Sequence, residues 1–144
     1  MTLNNEQKTV TRILICGSRK YQDKAKIKKF VESLPEGSIL IEGEAKGADS
    51  LARECAEECG FSEDRILKFP ADWLRFGKSA GPVRNRTMLV QGKPNVVAAF
   101  SDDLENSRGT KNMVMIARKA GVKVLINPVS WDETGNLEKG IFPD

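Results

Sequence analysis

The chain has 144 residues, 40% of them hydrophobic and 30% charged, with a net charge of +3. That length fits one domain able to bury a real core, and the composition is ordinary for a globular protein. It excludes a bilayer-spanning helix, since no apolar run is long enough, and the charge is too small to imply nucleic acid by itself, since a dedicated binder usually shows a basic stripe.

The opening MTLNNEQKTV lacks the basic-then-apolar order of a signal peptide, so a cytoplasmic location is expected. The sequence has no histidine. The serine–histidine hydrolase arrangement is therefore excluded, and acid–base work would fall to carboxylates, Lys, Tyr or Cys. Three cysteines, Cys16, Cys55 and Cys59, are an odd number. They argue against a disulfide framework or a zinc site. Cys55 and Cys59 share a helix face with Ala48, Leu51, Ala52 and Ala56, which reads as buried thiols in a core. No metal and no cofactor is expected.

Arg12-Ile-Leu-Ile-Cys-Gly17 reads as a first, buried strand. Asp23 then caps a helix whose apolar face is Ile27, Phe30, Val31 and Leu34, and Pro35 and Gly37 end it. Lys24, Lys26, Lys28 and Lys29 on that helix read as a solvated face. SILIEG is the second strand. A helix follows from about Ala48, with Gly60 as its stop, and RILKFP is a third strand.

ADWLRFGKSAG reads as a loop, leading to Pro82 in the first turn of a helix that runs to about Gln91. NVVAAF is the fourth strand and SDDLENSRG the loop after it. Thr110 to Ala120 reads as a helix with Met113, Ile116, Ala117 and Ala120 inward, and VKVLIN as the fifth strand. The core is expected over about residues 12–127. The tail, 128–144, holds Trp131, Ile141 and Phe142, which either pack back on the domain or stay loose.

Strands alternating with helices at this spacing predict a single α/β domain, Rossmann-like and doubly wound around a parallel sheet. Five strands suit the order 3-2-1-4-5. Ligands of such sheets bind beyond the carboxyl ends of the strands, where the strand order reverses. The residues gathered there are Gly17, Ser18 and Arg19 after strand one; Gly43, Lys46, Gly47, Ala48 and Asp49 after strand two; Asp72, Trp73, Gly81, Arg84 and Asn85 after strand three; and Ser107, Arg108, Gly109 and Thr110 after strand four.

Gly17 lets the chain turn closely, Ser18 offers a hydroxyl and an N–H, and Arg19 offers a forked cation. Ser107 to Thr110 repeats the recipe at a helix N-terminus, where open N–H groups favour phosphate. Each piece has a plainer reading: Asp49 as a helix cap, Trp73 as a cover for the core, Met88 as packing, Arg108 and Lys111 as solvated charges. Their convergence at one edge favours a phosphorylated ligand. Asp49 would address a ribose and Trp73 would flank a base. The G-x-G-x-x-G and G-x-x-x-x-G-K-S/T loops are absent, which excludes an ordinary NAD dehydrogenase or P-loop NTPase.

ICGSRKYQD, GEAKGADSLA, PADW, AGPVRNRTM and SRGTKNMVMIARKAGVKV, taken together and in this order, resemble the YspA/YpsA-related branch of the SLOG superfamily over about Ile13 to Leu125. The resemblance implies a Rossmann-like fold binding a nucleotide or nucleotide-derived ligand, as a sensor or a sequestering module, and a homo-oligomer. Its wider relatives include Lonely Guy phosphoribohydrolases and DprA-type proteins. These imply two alternatives: N-glycosidic cleavage of nucleoside monophosphates, and binding of single-stranded nucleic acid. The hydrolases carry G-G-x-G-T-x-x-E. Here Gly109 and Thr110 match, but Met113 stands at the glutamate position and Arg108 replaces a small residue. A thioether is no base, so a hydrolase would need Asp49 or Asp72 instead.

Overall fold

Arg12–Gly17 forms β1, and its four central residues are buried without interruption. A strand that apolar throughout needs cover on both faces, the condition of a central strand in a parallel sheet. The computed structural model describes residues 10–131. It holds one five-stranded, all-parallel sheet of β1, β2 (Ile39–Glu42), β3 (Ile66–Lys68), β4 (Val96–Phe100) and β5 (Lys123–Ile126), in the order 3-2-1-4-5. The register sets Leu14 beside Ile41 and Val97, and Gly17 beside Phe100.

Strand alternation divides the core in two. Ile13, Ile15, Leu40, Val96, Ala98, Phe100 and Leu125 face one side, where α1 (Lys24–Glu32) and α2 (Ala48–Glu58) bring Ile27, Phe30, Val31, Ala52 and Cys55. Leu14, Cys16, Ile41, Val97, Ala99 and Val124 face the other. There α4 (Ala80–Thr87) and its continuation, with α5 (Arg108–Lys119), bring Met88, Met113, Val114 and Ala117. The short α3 (Trp73–Phe76) lies between β3 and α4.

Local chemistry sets the helix ends. The Asp23 carboxylate accepts the Lys26 N–H and starts α1. The lysines of α1 lie at the surface, and two of them meet an acidic stripe on α2: Lys24 stands 2.7 Å from Glu58 and 3.3 Å from Glu54, and Lys28 3.2 Å from Glu58. Cys55 is buried and Cys59 partly so.

The structure corrects four expectations. ADWLRFGKSAG is not a loop: Asp72 accepts the Arg75 N–H and starts α3, followed by a 3-10 turn at Gly77–Ser79. The helix after Pro82 keeps α geometry only to Thr87 and then widens into a π turn over Met88–Gly92. The helix expected from Thr110 begins at Arg108, because Ser107 already has the non-helical backbone of a cap. Its inner face uses Thr110 and Val114, while Ala120 is exposed at the C-cap.

Trp131 packs against the α1–α2 side of the core, and its backbone N–H donates to Ser33 Oγ at 2.6 Å. Ile141 and Phe142 lie outside the described residues. No helix among the described residues is long and apolar enough to cross a membrane.

Candidate functional site

The carboxyl ends of β1 and β4 close on each other first. The Ser18 N–H donates to Phe100 O at 3.0 Å, continuing the sheet by one bond. A side chain at Gly17 would place its Cβ against that same carbonyl and 2.6 Å from Ala48 Cβ, so only glycine admits the approach. Ser18 O then accepts from Ala48 N at 3.2 Å and from Tyr21 N at 3.1 Å, and Ser18 Oγ accepts from Lys20 N at 3.1 Å. The N–H expected to serve a ligand is therefore already committed to the fold. Gly47, at φ +77°, turns so closely past the Ser18–Arg19 backbone that a Cβ would lie 2.6 Å from Arg19 O.

The β2–α2 loop is bonded from within. Asp49 is 4% exposed. Its Oδ2 accepts the Gly43 N–H at 3.0 Å and the Ala45 N–H at 3.3 Å. It is no N-cap: Gly47 occupies that position, and Asp49 reaches back from the first turn of α2 to hold the loop. Burial pushes its carboxyl up to about 6, against the opposing pull of Arg84, the two N–H groups and Arg19.

Arg84, on α4, donates from Nη1 to Gly43 O at 2.5 Å and from Nε to Asn85 Oδ1 at 3.0 Å. A Cβ on Gly43 would strike that guanidinium. Asn85 is buried and donates onward to Gly109 O at 3.1 Å and to Asn112 Oδ1 at 2.9 Å. Three segments distant in sequence are thereby joined into one surface, with Cys16 beneath it. Burial and the nearby Asp49 charge push the Cys16 thiol up, with Arg84 opposing, so it is no nucleophile at neutral pH.

Arg19 lies over the Trp73 ring, 5.6 Å from its centroid, and Trp73 is 49% exposed. The guanidinium and the indole thus form an open, flat wall rather than a cover for the core. No bond joins Arg19 to Gly109 or Thr110 among the described residues; the link between them runs through Asp49, Arg84 and Asn85.

At the far side, Ser107 makes no side-chain cap. Its hydroxyl donates to Asp103 O at 2.9 Å and meets Ser101 Oγ at 3.0 Å. The N–H groups of Arg108, Gly109 and Thr110 are the first turn of α5, which has no acceptor inside the helix. A Cβ on Gly109 would meet nothing within 4 Å among the described residues, so the space beside Gly109 is open. Thr110 is buried. Arg108 and Lys111 line an open cleft along the outer face of α5, and Lys111 pairs with Glu105 at 3.2 Å.

Asp72 stands apart, exposed and capping its own helix. Met113 is wholly buried among Leu14, Cys16 and Val97, and no carboxylate stands in its place. Among the described residues no cluster of three or more potential metal ligands occurs.

Two contributors escape the sequence reading. Asn112 follows Gly109 by one helical turn and completes the hold on Asn85. Glu42, the last residue of β2, is 0% exposed. Its Oε1 accepts the Glu44 N–H at 2.6 Å, and its Oε2 lies 3.5 Å from Arg53 Nη1 with no hydrogen-bond partner among the described residues. Burial pushes the Glu42 carboxyl up to about 7, the Glu44 N–H opposing, Asp49 adding to the rise and Arg53 opposing it.

Fold and site together define a Rossmann-like α/β protein whose strand-end loops are welded into one surface beside an open helix turn. Residues 11–76 match the model of the YspA, cpYpsA-related SLOG family, the same family that the sequence motifs resemble. Among curated protein sequences none matches. Among solved structures, the DNA processing protein A (DprA) from Streptococcus pneumoniae is similar with a TM-score of 0.65 and 17% identity, over 81% of this chain and 50% of that one. The chain spans about half the length of that protein, and the likeness is one of fold.

Proposed function

We propose that the protein binds a nucleotide or nucleotide-derived phosphorylated ligand at the carboxyl edge of its sheet, as a sensor or sequestering module. The observation that carries this reading is the Asn85 bridge to Gly109 O, which fixes an uncapped, open helix turn against the loop held by Arg84. Free N–H groups at such a turn, with the helix dipole behind them, favour a phosphate. Arg19 and Trp73 offer a flat cationic and aromatic wall for a base. Gly17, Ser18, Gly43 and Gly47 act through shape, by letting the segments approach. Asp49 acts chiefly through the loop it holds, while Asp72 caps its own helix and is left without a part in the site.

The site supports binding better than N-glycoside cleavage. Met113 lies in the core, and Asp49 already accepts two N–H groups. Single-stranded nucleic acid and a homo-oligomeric state remain the further expectations of the SLOG resemblance.

Calorimetry with AMP and ADP-ribose tests the reading. Arg19→Ala is expected to weaken binding roughly twofold to thirtyfold, since a cation–π contact contributes about 0.5–2 kcal/mol. The fold should persist, because Arg19 is exposed. Wild-type protein that binds neither compound, or an Arg19→Ala affinity equal to wild type, overturns it. Tight, steeply salt-dependent binding of an oligonucleotide would favour the nucleic-acid alternative instead.

A further inference from the structure

Glu42 is an anomaly for a sheet protein: a carboxylate with 0% exposure at the end of an otherwise apolar strand, one of its oxygens without a hydrogen-bond partner among the described residues. The structure supplies a task for it. Three consecutive N–H groups of the β2–α2 loop are held from beneath by two carboxylates, those of Gly43 and Ala45 by Asp49 and that of Glu44 by Glu42. Glu44 sits between them at φ +57°, a left-handed conformation that a residue with a side chain adopts only when its surroundings hold it there. The bond from Glu44 N–H to Glu42 is the hold. Arg53 on α2 stands 3.5 Å behind the second oxygen and is the cation paired with it.

We propose that Glu42 is a positioning residue for ligand binding: its carboxylate, backed by Arg53, keeps the Gly43–Gly47 loop in its binding shape, so ligand affinity falls when that carboxylate becomes neutral. The inference rests on the nucleotide-binding reading above for its ligand, and on the loop geometry alone for its mechanism.

The groups facing Glu42 are Asp49 and Arg53 from α2, Glu44 from the loop, and Lys68, its neighbour in register on β3. Asp49 is itself faced by Arg84 from α4 and Arg19 from the β1 loop. Acidification to about 6 neutralises Glu42 first, in keeping with its rise to about 7. The charge-assisted bond to Glu44 then becomes a neutral one, about half as strong. The Arg53 pairing is lost in the same step.

The test compares wild type with Glu42→Gln, which keeps the shape and an acceptor oxygen but carries no charge, and with Arg53→Met. The first readout needs no ligand: exchange of the Glu44 amide, followed by NMR at matched pH between 6 and 8.5. At pH 8 wild type should protect this amide roughly fivefold more than Glu42→Gln, with the two converging toward pH 6. The second readout is AMP affinity by calorimetry across the same range. The AMP phosphate titrates near about 6 in every variant, so it cancels in the comparison. Wild type should lose up to roughly fivefold more affinity than Glu42→Gln on going from pH 8 to 6, the limit set by the change in loop order, and Arg53→Met should move the wild-type midpoint to higher pH.

Equal amide protection in wild type and Glu42→Gln at pH 8 overturns the proposal. So do AMP profiles that run parallel in the two proteins. If AMP binds at no pH while the amide protection differs as expected, the loop role stands and the nucleotide reading falls.

Discussion

Replacing Glu42 by Gln should make the protein more stable at pH 8, although it removes a buried charge pair. The Glu42 carboxyl is raised from 4.5 to about 7 by burial. Between those values the native state binds more protons than the unfolded chain, so stability falls as pH rises through the window. The cost is absent below about 4.5 and fully present above about 7. At about 1.4 kcal/mol for each pH unit, the difference amounts to about 3 kcal/mol at pH 8. Gln avoids that cost and keeps an acceptor for the Glu44 N–H. Urea unfolding should therefore place the Glu42→Gln midpoint roughly 1–3 M above wild type at pH 8, for an m-value of about 1–3 kcal/mol/M, and the two should approach each other at pH 5. Asp49, raised to about 6 by burial, contributes a slope of the same sign in both proteins. A Glu42→Gln midpoint at or below wild type at pH 8, with parallel pH dependence, would refute the reasoning. It would mean that the Arg53 pairing more than offsets the desolvation of Glu42.

Gly17→Ala should destabilise by about 1–3 kcal/mol or more, because its Cβ would meet Ala48 Cβ at 2.6 Å as well as the Phe100 carbonyl; thermal unfolding measures it. Met113→Glu should cost on the order of 3–5 kcal/mol by placing an unpaired charge in the core. It should also release no free base from AMP, and a stable variant that does release adenine would contradict the placement of Met113. Asp23→Ala should lower stability by about 1 kcal/mol through loss of the α1 cap, seen as a reduced urea midpoint with unchanged slope.

The strand order was legible because the five apolar runs are separated by helical periods of the right length, and right-handed crossovers leave few arrangements for such a chain. The same strands show why the two core faces were not drawn from the sequence: Ile13 and Leu14 are equally apolar, and only the sheet tells which helix pair each one meets. Helix α3 escaped because Trp73–Phe76 is one turn with no amphipathic repeat, and its existence depends on a single Asp72 bond. The start of α5 was misplaced because Arg108 and Gly109 read as turn residues, glycine being a poor helix former.

Among the site residues, Gly17 and Gly47 could be read from their places at strand and helix ends, and Arg84 from its place on a helix aimed at the edge. Asp49 was located but given the wrong partner, since an acidic residue near a helix start satisfies the capping pattern while its side chain turns back toward Gly43. Glu42 left one faint trace, a charge closing the run Ile39-Leu-Ile. Strand alternation offers an innocent reading of such a residue as solvent-facing, and its burial becomes apparent only when α2 is laid over it.

The β2–α2 loop has its N–H groups at Gly43, Glu44 and Ala45 occupied, and its carbonyls at Gly43 and Ala45 taken by Arg84 and by Ser50 Oγ at 3.0 Å. That wall is finished before any visitor arrives, whereas the first turn of α5 is left incomplete. For the ligand proposed above, encounter should therefore resemble docking against a fixed mould, with little backbone rearrangement. Differences between cognate and near-cognate compounds should then appear in how fast they leave rather than in how fast they enter.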